Sequence, residues 1–180
     1  MKTKHIVLGI TGSIAAYKAC ELISLFRKAN FSVSCVLTKE AAEFITPLTL
    51  EVLSGNKVLE DMFSLPDNRT PAHISLADTA DLVVICPATA NIIGKLASGV
   101  CDDFLCCTVI STKAPVLIAP AMNNNMFKHK IVQKNIATLK EIDYRFIGPV
   151  KGHLACGYEA IGHLAEISDI FKESKKLIKR

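Results

Sequence analysis

Residues 116–126 read Val-Leu-Ile-Ala-Pro-Ala-Met-Asn-Asn-Asn-Met, an apolar run that changes abruptly into a polar one. The four residues at 116–119 are typical of a buried strand, and Asn123, Asn124 and Asn125 follow at its carboxyl end. In open α/β sheets, ligands bind at the edge formed by the carboxyl ends of the strands. One polar residue is enough to cap the next helix. Three amides therefore predict a site that holds the polar groups of a ligand.

Other apolar runs alternate along the chain with stretches of helical periodicity. We predict strands at 5–10, 32–37, 82–86, 115–119 and 144–147. We predict helices at 14–29, 40–54 with a break at Pro47, 88–98, 102–111, 127–140 and 168–178. Continuous apolar strands that alternate with helices indicate a parallel sheet covered on both faces.

The sequence therefore predicts an α/β protein in which residues 1–180 form a single Rossmann-like or flavodoxin-like domain. The sheet should be parallel and doubly wound, because crossover connections between parallel strands are right-handed. Two long irregular stretches remain, at 64–72 and 148–163, and loops of that length in a compact domain are often functional.

The composition excludes several classes of protein. Apolar residues make up 50% of the 180 residues and charged residues 21%, which is typical of a globular chain. No apolar run approaches the roughly 20 residues of a membrane span, and no signal-peptide pattern follows Met1. A net charge of +4 with 6% aromatic residues does not provide the basic, aromatic surface of a nucleic-acid binder. We expect neither a nucleic-acid nor a membrane partner.

The seven cysteines indicate a reducing compartment. Their number is odd and most lie in apolar stretches, which favours free thiols in the cytoplasm over a disulfide framework. No CxxC or CxxH spacing is present, so we expect no metal site.

The turn after the first strand contains Gly12 and Ser13. Gly12 can adopt backbone conformations closed to other residues, and Ser13 can cap the next helix, whose N–H groups suit a phosphate. The same residues would also make an ordinary strand–helix turn. Thr38 follows the second strand where dinucleotide-binding proteins carry an acidic residue, so a mononucleotide such as FMN fits better.

A third polar segment follows the strand at 82–86. Pro87 and Ala88 let a flat ligand approach the backbone, and Thr89 and Asn91 supply hydrogen bonds, although helix capping explains them too. Because all such segments lie at one end of one predicted sheet, we interpret them together as one binding edge.

Two candidates for chemistry lie outside these segments. His73 stands beside the irregular stretch at 64–72, where an ordinary histidine at a helix start is the alternative. Cys156 lies among Gly152, Gly157 and Gly162, and a thiol between glycines can be brought to a ligand when the loop closes. The alternative is a flexible connector with an incidental cysteine.

Together these residues resemble the flavin-dependent cysteine decarboxylases, and among them those that act on phosphopantothenoylcysteine. The resemblance runs from Gly9 to Glu166. Six matching segments carry it: Gly-Ser-Ile-Ala-Ala-Tyr-Lys at 12–18, Ala-His-Ile-Ser-Leu at 72–76, Ala-Asp-Leu-Val at 80–83, Pro-Ala-Thr-Ala-Asn at 87–91, Pro-Ala-Met-Asn at 120–123 and Leu-Ala-Cys-Gly at 154–157.

The resemblance implies an FMN-dependent carboxy-lyase of coenzyme A biosynthesis that forms trimers or assemblies of trimers, such as dodecamers, with flavin near subunit interfaces. It also implies a synthetase on the same or a separate chain. It assigns catalysis to His73, Asn123 and Cys156. It assigns flavin contacts to Gly12, Ser13, Thr38, Pro87, Ala88, Thr89 and Asn91, and substrate contacts to Ala121, Met122, Asn123, Ala155 and Cys156.

The chain departs from some relatives just after Cys156. Those relatives have Gly-Asp and, further on, Gly-Arg, whereas this chain has Gly157-Tyr158 and Gly162-His163. The resemblance implies that the loop around Cys156 clamps the substrate. The departure concerns the contacts of this loop rather than the thiol of Cys156.

The assigned groups suit a decarboxylation. Direct loss of CO2 from a cysteine carboxylate would leave electrons on an unstabilised carbon. Oxidation of the substrate thiol to a thioaldehyde by flavin creates an electron sink, so CO2 leaves as an enethiolate forms, and the flavin then returns the hydride without net redox change. Three alternatives remain: a flavin prenyltransferase, a peptidyl-cysteine decarboxylase, and a flavin-bearing regulatory subunit that binds a phosphatase.

Overall fold

The computed structural model describes residues 3–62, 71–153 and 157–178. Within these ranges, five parallel strands form one sheet in the order β2-β1-β3-β4-β5. The strands are β1 (His5–Ile10), β2 (Ser32–Leu37), β3 (Leu82–Ala88), β4 (Val116–Pro120) and β5 (Arg145–Phe146). This order confirms the predicted doubly wound, flavodoxin-like fold.

Helices cover both faces of the sheet. A 3₁₀ helix (Ile14–Lys18) leads into the first α-helix. The α-helices are α1 (Ala19–Lys28), α2 (Pro47–Ser54), α3 (Ala72–Thr79), α4 (Ala90–Ala97), α5 (Phe104–Ser111), α6 (Asn124–Lys128), α7 (Lys130–Glu141) and α8 (Ile167–Ile178).

The core has one cluster on each face of the sheet, because successive side chains of a strand point to opposite faces. Ile6 and Leu8 of β1 pack on one face with Phe26 of α1 and Ile170 of α8. Val7 points to the other face, whose core also contains residues of α4, α5 and α7. The named side chains of β1, α1 and α8 are fully buried, and burial on both faces explains why a central strand such as β1 is apolar without alternation.

Several predicted boundaries are wrong for local reasons. The strand predicted to end before Pro87 continues through it to Ala88, because β3 shifts its register against β4 between Ile85 and Ala88. A proline is tolerated at such an irregularity. The helix predicted at 40–54 begins only at Pro47, the usual first helical position for proline. The helix predicted at 127–140 is two helices separated by His129.

The stretch at 148–163, predicted as irregular, contains a two-stranded antiparallel sheet. Its strands are β6 (Val150–His153) and β7 (Glu159–His163). The connection at 154–156 lies outside the described residues, and so do residues 64–70 of the other predicted irregular stretch. We call β6, β7 and the described residues Gly157 and Tyr158 between them the hairpin.

The hairpin is attached to the main sheet beside the end of β4. The Met122 N–H donates a hydrogen bond of 3.0 Å to the Gly162 carbonyl. Gly162 has a φ of +136°, and a Cβ built there would lie 2.1 Å from the Met122 oxygen. Only glycine therefore fits at this contact, which fixes the hairpin against the segment that follows β4.

Among the described residues, no helix is both long enough and apolar enough to cross a bilayer.

Candidate active site

The carboxyl ends of β1, β2 and β3 border a cavity of about 400 Å³. We call it the switch-point cavity, because the strand order changes direction between β1 and β3. Four of the predicted flavin-binding residues line this cavity, namely Gly12, Thr38, Thr89 and Asn91. Pro87 and Ala88 lie within β3 at the same edge but do not line the cavity.

Thr11 connects the two strands on either side of the switch point. Its hydroxyl donates a hydrogen bond of 2.7 Å to the Pro87 carbonyl and accepts one of 3.1 Å from the Thr89 N–H. Thr11 is only 2% exposed and Pro87 is buried, so the Pro87 carbonyl has no water as an alternative partner. This side chain therefore fixes the spacing between the turn after β1 and the turn after β3.

Gly12 is required for a close approach rather than for an unusual backbone conformation. Its φ is not in the left-handed region, so the prediction of a conformation closed to other residues is wrong. A Cβ at Gly12 would instead lie 2.5 Å from the Cβ of Glu40. The absent side chain therefore lets the turn after β1 approach the turn after β2 at the wall of the cavity.

Threonine hydroxyls supply hydrogen-bond donors to the switch-point cavity. Thr89 caps α4 by accepting from the Ile92 N–H at 3.4 Å, and Thr38 accepts from the Ala41 N–H at 3.4 Å. Each hydroxyl keeps its own proton to donate to a ligand. The capping role considered from the sequence is thus real for Thr89, and it is compatible with ligand binding.

Two carboxylates also line this cavity, Glu40 and Asp103. Glu40 is exposed. Burial alone would raise the pKa of Asp103, but hydrogen bonds from the Cys106 N–H and from Lys95 hold it below its usual value. Asp103 is therefore an anion that Lys95 neutralises. An exposed carboxylate such as Glu40 accepts hydrogen bonds from ligand hydroxyl groups.

A second cavity, of about 480 Å³, lies between the 3₁₀ helix, the end of β4 and the hairpin. We call it the hairpin cavity. Three of the predicted substrate-binding residues, Ala121, Met122 and Asn123, line it. Ser13 lines it too and caps the 3₁₀ helix by accepting from the Ala15 N–H at 3.3 Å. Because Ser13 follows Gly12 directly, one turn borders both cavities.

Asn123 is held from two sides. Its side-chain oxygen accepts a hydrogen bond of 2.8 Å from the Asn125 N–H, which caps α6. Its amide nitrogen donates to the Tyr158 hydroxyl of the hairpin at 3.3 Å. Asn123 lines the hairpin cavity, where amide groups can hydrogen-bond a ligand.

The other two predicted catalytic residues do not join Asn123 in the described structure. Cys156 and its neighbour Ala155 lie outside the described residues, although Gly157 and Tyr158 directly follow them. His73 lies in the first turn of α3 and lines neither cavity. Its ring packs edge-on against Phe104 at 6.1 Å, and its buried Nδ1 has no hydrogen-bond partner among the described residues.

Residues 1–179 match the model of one protein family, described as Flavoprotein. The chain belongs to the Flavoprotein family.

Two similar proteins of this family are bacterial. The coenzyme A biosynthesis bifunctional protein CoaBC of Bacillus subtilis is 43% identical over 98% of this chain and 43% of its own length. This chain therefore spans less than half the length of that relative. A probable phosphopantothenoylcysteine decarboxylase of Streptococcus mutans is 40% identical over 95% of this chain and 97% of its own length.

Solved structures of two proteins superpose closely on this Flavoprotein-family chain. One is a mutant PPC decarboxylase complexed with pantothenoylaminoethenethiol, with a TM-score of 0.92 and 30% identity over 99% of this chain and 100% of the other. The second is the FMN-dependent cysteine decarboxylase SpaF, with a TM-score of 0.87 and 28% identity over 98% of both chains. The resemblance to flavin-dependent cysteine decarboxylases is thereby confirmed.

Sequence reasoning missed two residues at the switch point of this Flavoprotein-family chain. Thr11 was passed over because nothing in the sequence indicates that its hydroxyl reaches β3. Glu40 was passed over because only the residue directly after β2, Thr38, was considered. Glu40 comes two residues after Thr38. It lies close to Gly12 and lines the cavity.

We expect Thr11→Val to destabilise the chain, because valine leaves the Pro87 carbonyl and the Thr89 N–H without their buried partner. The loss should be about 2–4 kcal/mol of unfolding free energy, measured by urea denaturation. Thr11→Ser keeps the hydroxyl and should retain most of the stability. A Thr11→Val variant as stable as the parent would show that the hydroxyl does not connect β1 to β3.

Proposed function

We propose that this chain is an FMN-dependent decarboxylase that converts phosphopantothenoylcysteine into phosphopantetheine in coenzyme A biosynthesis. The main support for the proposal is that three polar segments meet at one edge of the sheet, namely Gly12–Ser13, Thr89–Asn91 and Ala121–Asn123. The chain is also 40% identical to a probable phosphopantothenoylcysteine decarboxylase. We further propose that residues 1–180 form a single decarboxylase domain that acts in the cytoplasm. All six cysteines among the described residues are free thiols, which supports that location.

The switch-point cavity suits FMN. Thr38, Thr89 and Asn91 offer donors for phosphate oxygens, and the exposed carboxylate of Glu40 offers an acceptor for ribityl hydroxyls. The absence of a side chain at Gly12 allows Glu40 to approach at the wall of this cavity. When bound, FMN supplies a reversible acceptor for one hydride, so the carbon that bears the substrate thiol can be oxidised and later reduced.

Asn123 is the residue that binds the substrate carboxylate in this proposal. Its amide donates hydrogen bonds without a full positive charge, and its fixed orientation lowers the entropic cost of binding. A lysine in its place would stabilise the carboxylate of the ground state and so oppose the loss of CO2.

His73 and Cys156 handle protons in this proposal. His73 accepts the proton of the substrate thiol, and Cys156 donates a proton to the α-carbon of the enethiolate that remains after CO2 leaves. Tyr158, two residues after Cys156 in the sequence, accepts a hydrogen bond of 3.3 Å from the Asn123 amide, which supports a role for Cys156 at the substrate that Asn123 binds.

We propose that a second copy of the chain completes the site in a trimer or an assembly of trimers. His73 is not among the residues that line either cavity of its own chain, which supports this arrangement. The ring nitrogen Nδ1 lacks a partner among the described residues, which is consistent with a role toward a ligand or another subunit. A synthetase, fused or separate, would supply the substrate by joining cysteine to a phosphorylated pantothenate.

The proposed reaction predicts a specific defect in Cys156→Ser. A serine hydroxyl is a much weaker acid than a thiol, so protonation of the enethiolate should fail after CO2 has left. Under anaerobic conditions, we expect about one CO2 per active site and a persistent enethiol band in the near ultraviolet. Cys101→Ser, which alters an exposed cysteine elsewhere, should turn over normally. Normal turnover by Cys156→Ser would remove this thiol from the mechanism.

The shared site predicts complementation between inactive variants. His73→Asn and Asn123→Asp should each be inactive as homo-oligomers. In a mixed cyclic oligomer formed after co-expression, each site takes His73 from one chain and Asn123 from the neighbouring chain. Both residues are intact at about a quarter of these sites, because each of the two positions is filled by the suitable variant half of the time. Activity should therefore recover to about a quarter of the parent level. No recovery in mixed oligomers, verified by two affinity tags, would show that one chain supplies both residues.

A further inference from the structure

Basic groups, and no carboxylate of the described residues, line the hairpin cavity. Among the described residues at its wall, Lys18, His153 and His163 are titratable bases, and none is Asp or Glu. The switch-point cavity differs, because Glu40 and Asp103 line it. The two cavities therefore favour ligands of different charge, and the hairpin cavity favours an anion.

Lys18 is the group in this cavity that most needs an anionic partner. It is half-buried in the last turn of the 3₁₀ helix, and no carboxylate of the described residues lies within ion-pair distance of its ammonium. Lys4 and Lys95, by contrast, form ion pairs at 2.8 Å. A partly desolvated ammonium gains from a bound anion, because a charge-assisted hydrogen bond offsets the lost hydration.

The charge of Lys18 acts toward the sheet edge rather than only toward bulk water. Burial raises the pKa of the Cys86 thiol in β3 to about 12, and the Lys18 ammonium opposes that rise. Cys86 directly precedes Pro87, at the carboxyl end of β3. The ammonium is therefore close enough to the carboxyl edge of the sheet to influence a ligand bound there.

Apolar side chains flank Lys18 in the same cavity. Ile14 and Tyr17 are each 59% exposed, and both line the cavity beside Lys18. Asn123, the proposed carboxylate-binding residue, lies in the wall as well. These residues fit a ligand that has a carboxylate, an apolar stretch and a second anionic group.

We propose that Lys18 binds the phosphate monoester of the substrate in the cavity where Asn123 binds its carboxylate. The proposal rests on the proposed function and adds to it the residue that distinguishes phosphorylated from unphosphorylated substrate. FMN also carries a phosphate monoester. However, Lys18 does not line the switch-point cavity, so the substrate phosphate is the better match.

The test compares substrates with and without the phosphate in the parent and in Lys18→Met holoprotein. Lys18→Met keeps the unbranched stem and removes the charge. It should lower kcat/KM for phosphopantothenoylcysteine by about 10- to 100-fold, which is the range for the loss of one charge-assisted hydrogen bond. The kcat/KM for pantothenoylcysteine, which lacks the phosphate, should stay nearly unchanged. Lys18→Arg should retain most of the preference. Lys113→Met, at the opposite end of the sheet before β4, should behave as the parent.

Binding measurements make the test independent of turnover. Calorimetry of holoprotein should show that the parent binds phosphopantetheine more tightly than pantetheine and that Lys18→Met loses this difference. If this difference in binding is observed but the parent releases no CO2 from either substrate, the proposed function fails while the role of Lys18 stands. If Lys18→Met does not fold with flavin, Lys18→Gln and Lys18→Arg provide the same comparison.

Three results would overturn the proposal. An equal loss with both substrates would show that Lys18 has a structural role. An unchanged phosphate preference in Lys18→Met would show that another group binds the phosphate. A tenfold weaker affinity for FMN with an unchanged affinity for riboflavin, measured by fluorescence quenching, would assign Lys18 to the phosphate of the flavin.

Discussion

The hydroxyl of Thr11 holds the site together, because it joins the two strands between which the sheet changes direction. The ladder between β1 and β3 ends at the pair Gly9 and Ile85, and beyond it the strands separate and leave a cavity. The Thr11 hydrogen bonds to the Pro87 carbonyl and the Thr89 N–H are the side-chain link across that gap. The positions of the two turns that border the switch-point cavity therefore depend on one buried side chain.

The second half of the site depends on the contact between the end of β4 and the hairpin. The hydrogen bond from Met122 to Gly162, possible only at a glycine, brings Tyr158 to Asn123. Asn123 then has a fixed orientation in a cavity without acidic side chains among the described residues. A flavin with hydroxyl groups and a substrate with two anionic groups can thus occupy adjoining cavities without competing for the same residues.

The strands β1, β3 and β4 could be predicted from the sequence because they are buried on both faces and continuous apolar runs mark them. At the edges of the sheet, β2 alternates serine with apolar residues, and β5 has only two residues, neither of them buried. The hairpin could not be predicted, because its residues are mostly exposed and follow no apolar alternation. The positions of Asn123 and Thr89 at one sheet edge followed from the order of the elements alone. The role of Thr11 did not, because a hydrogen bond between residues 76 positions apart leaves no local pattern. The role of His73 stays a prediction, since a single chain does not bring it to either cavity.

The central claim is that a flavin at the switch point allows this chain to remove the carboxyl group of a phosphorylated cysteine conjugate. The most direct measurement is the release of CO2 from carboxyl-labelled phosphopantothenoylcysteine by purified protein before and after removal of FMN, without an added oxidant. We predict equal amounts of CO2 and phosphopantetheine from yellow holoprotein, none from the stripped protein, and recovery when FMN is restored. A colourless protein that binds no FMN, or CO2 release that is unaffected by its removal, would contradict the account.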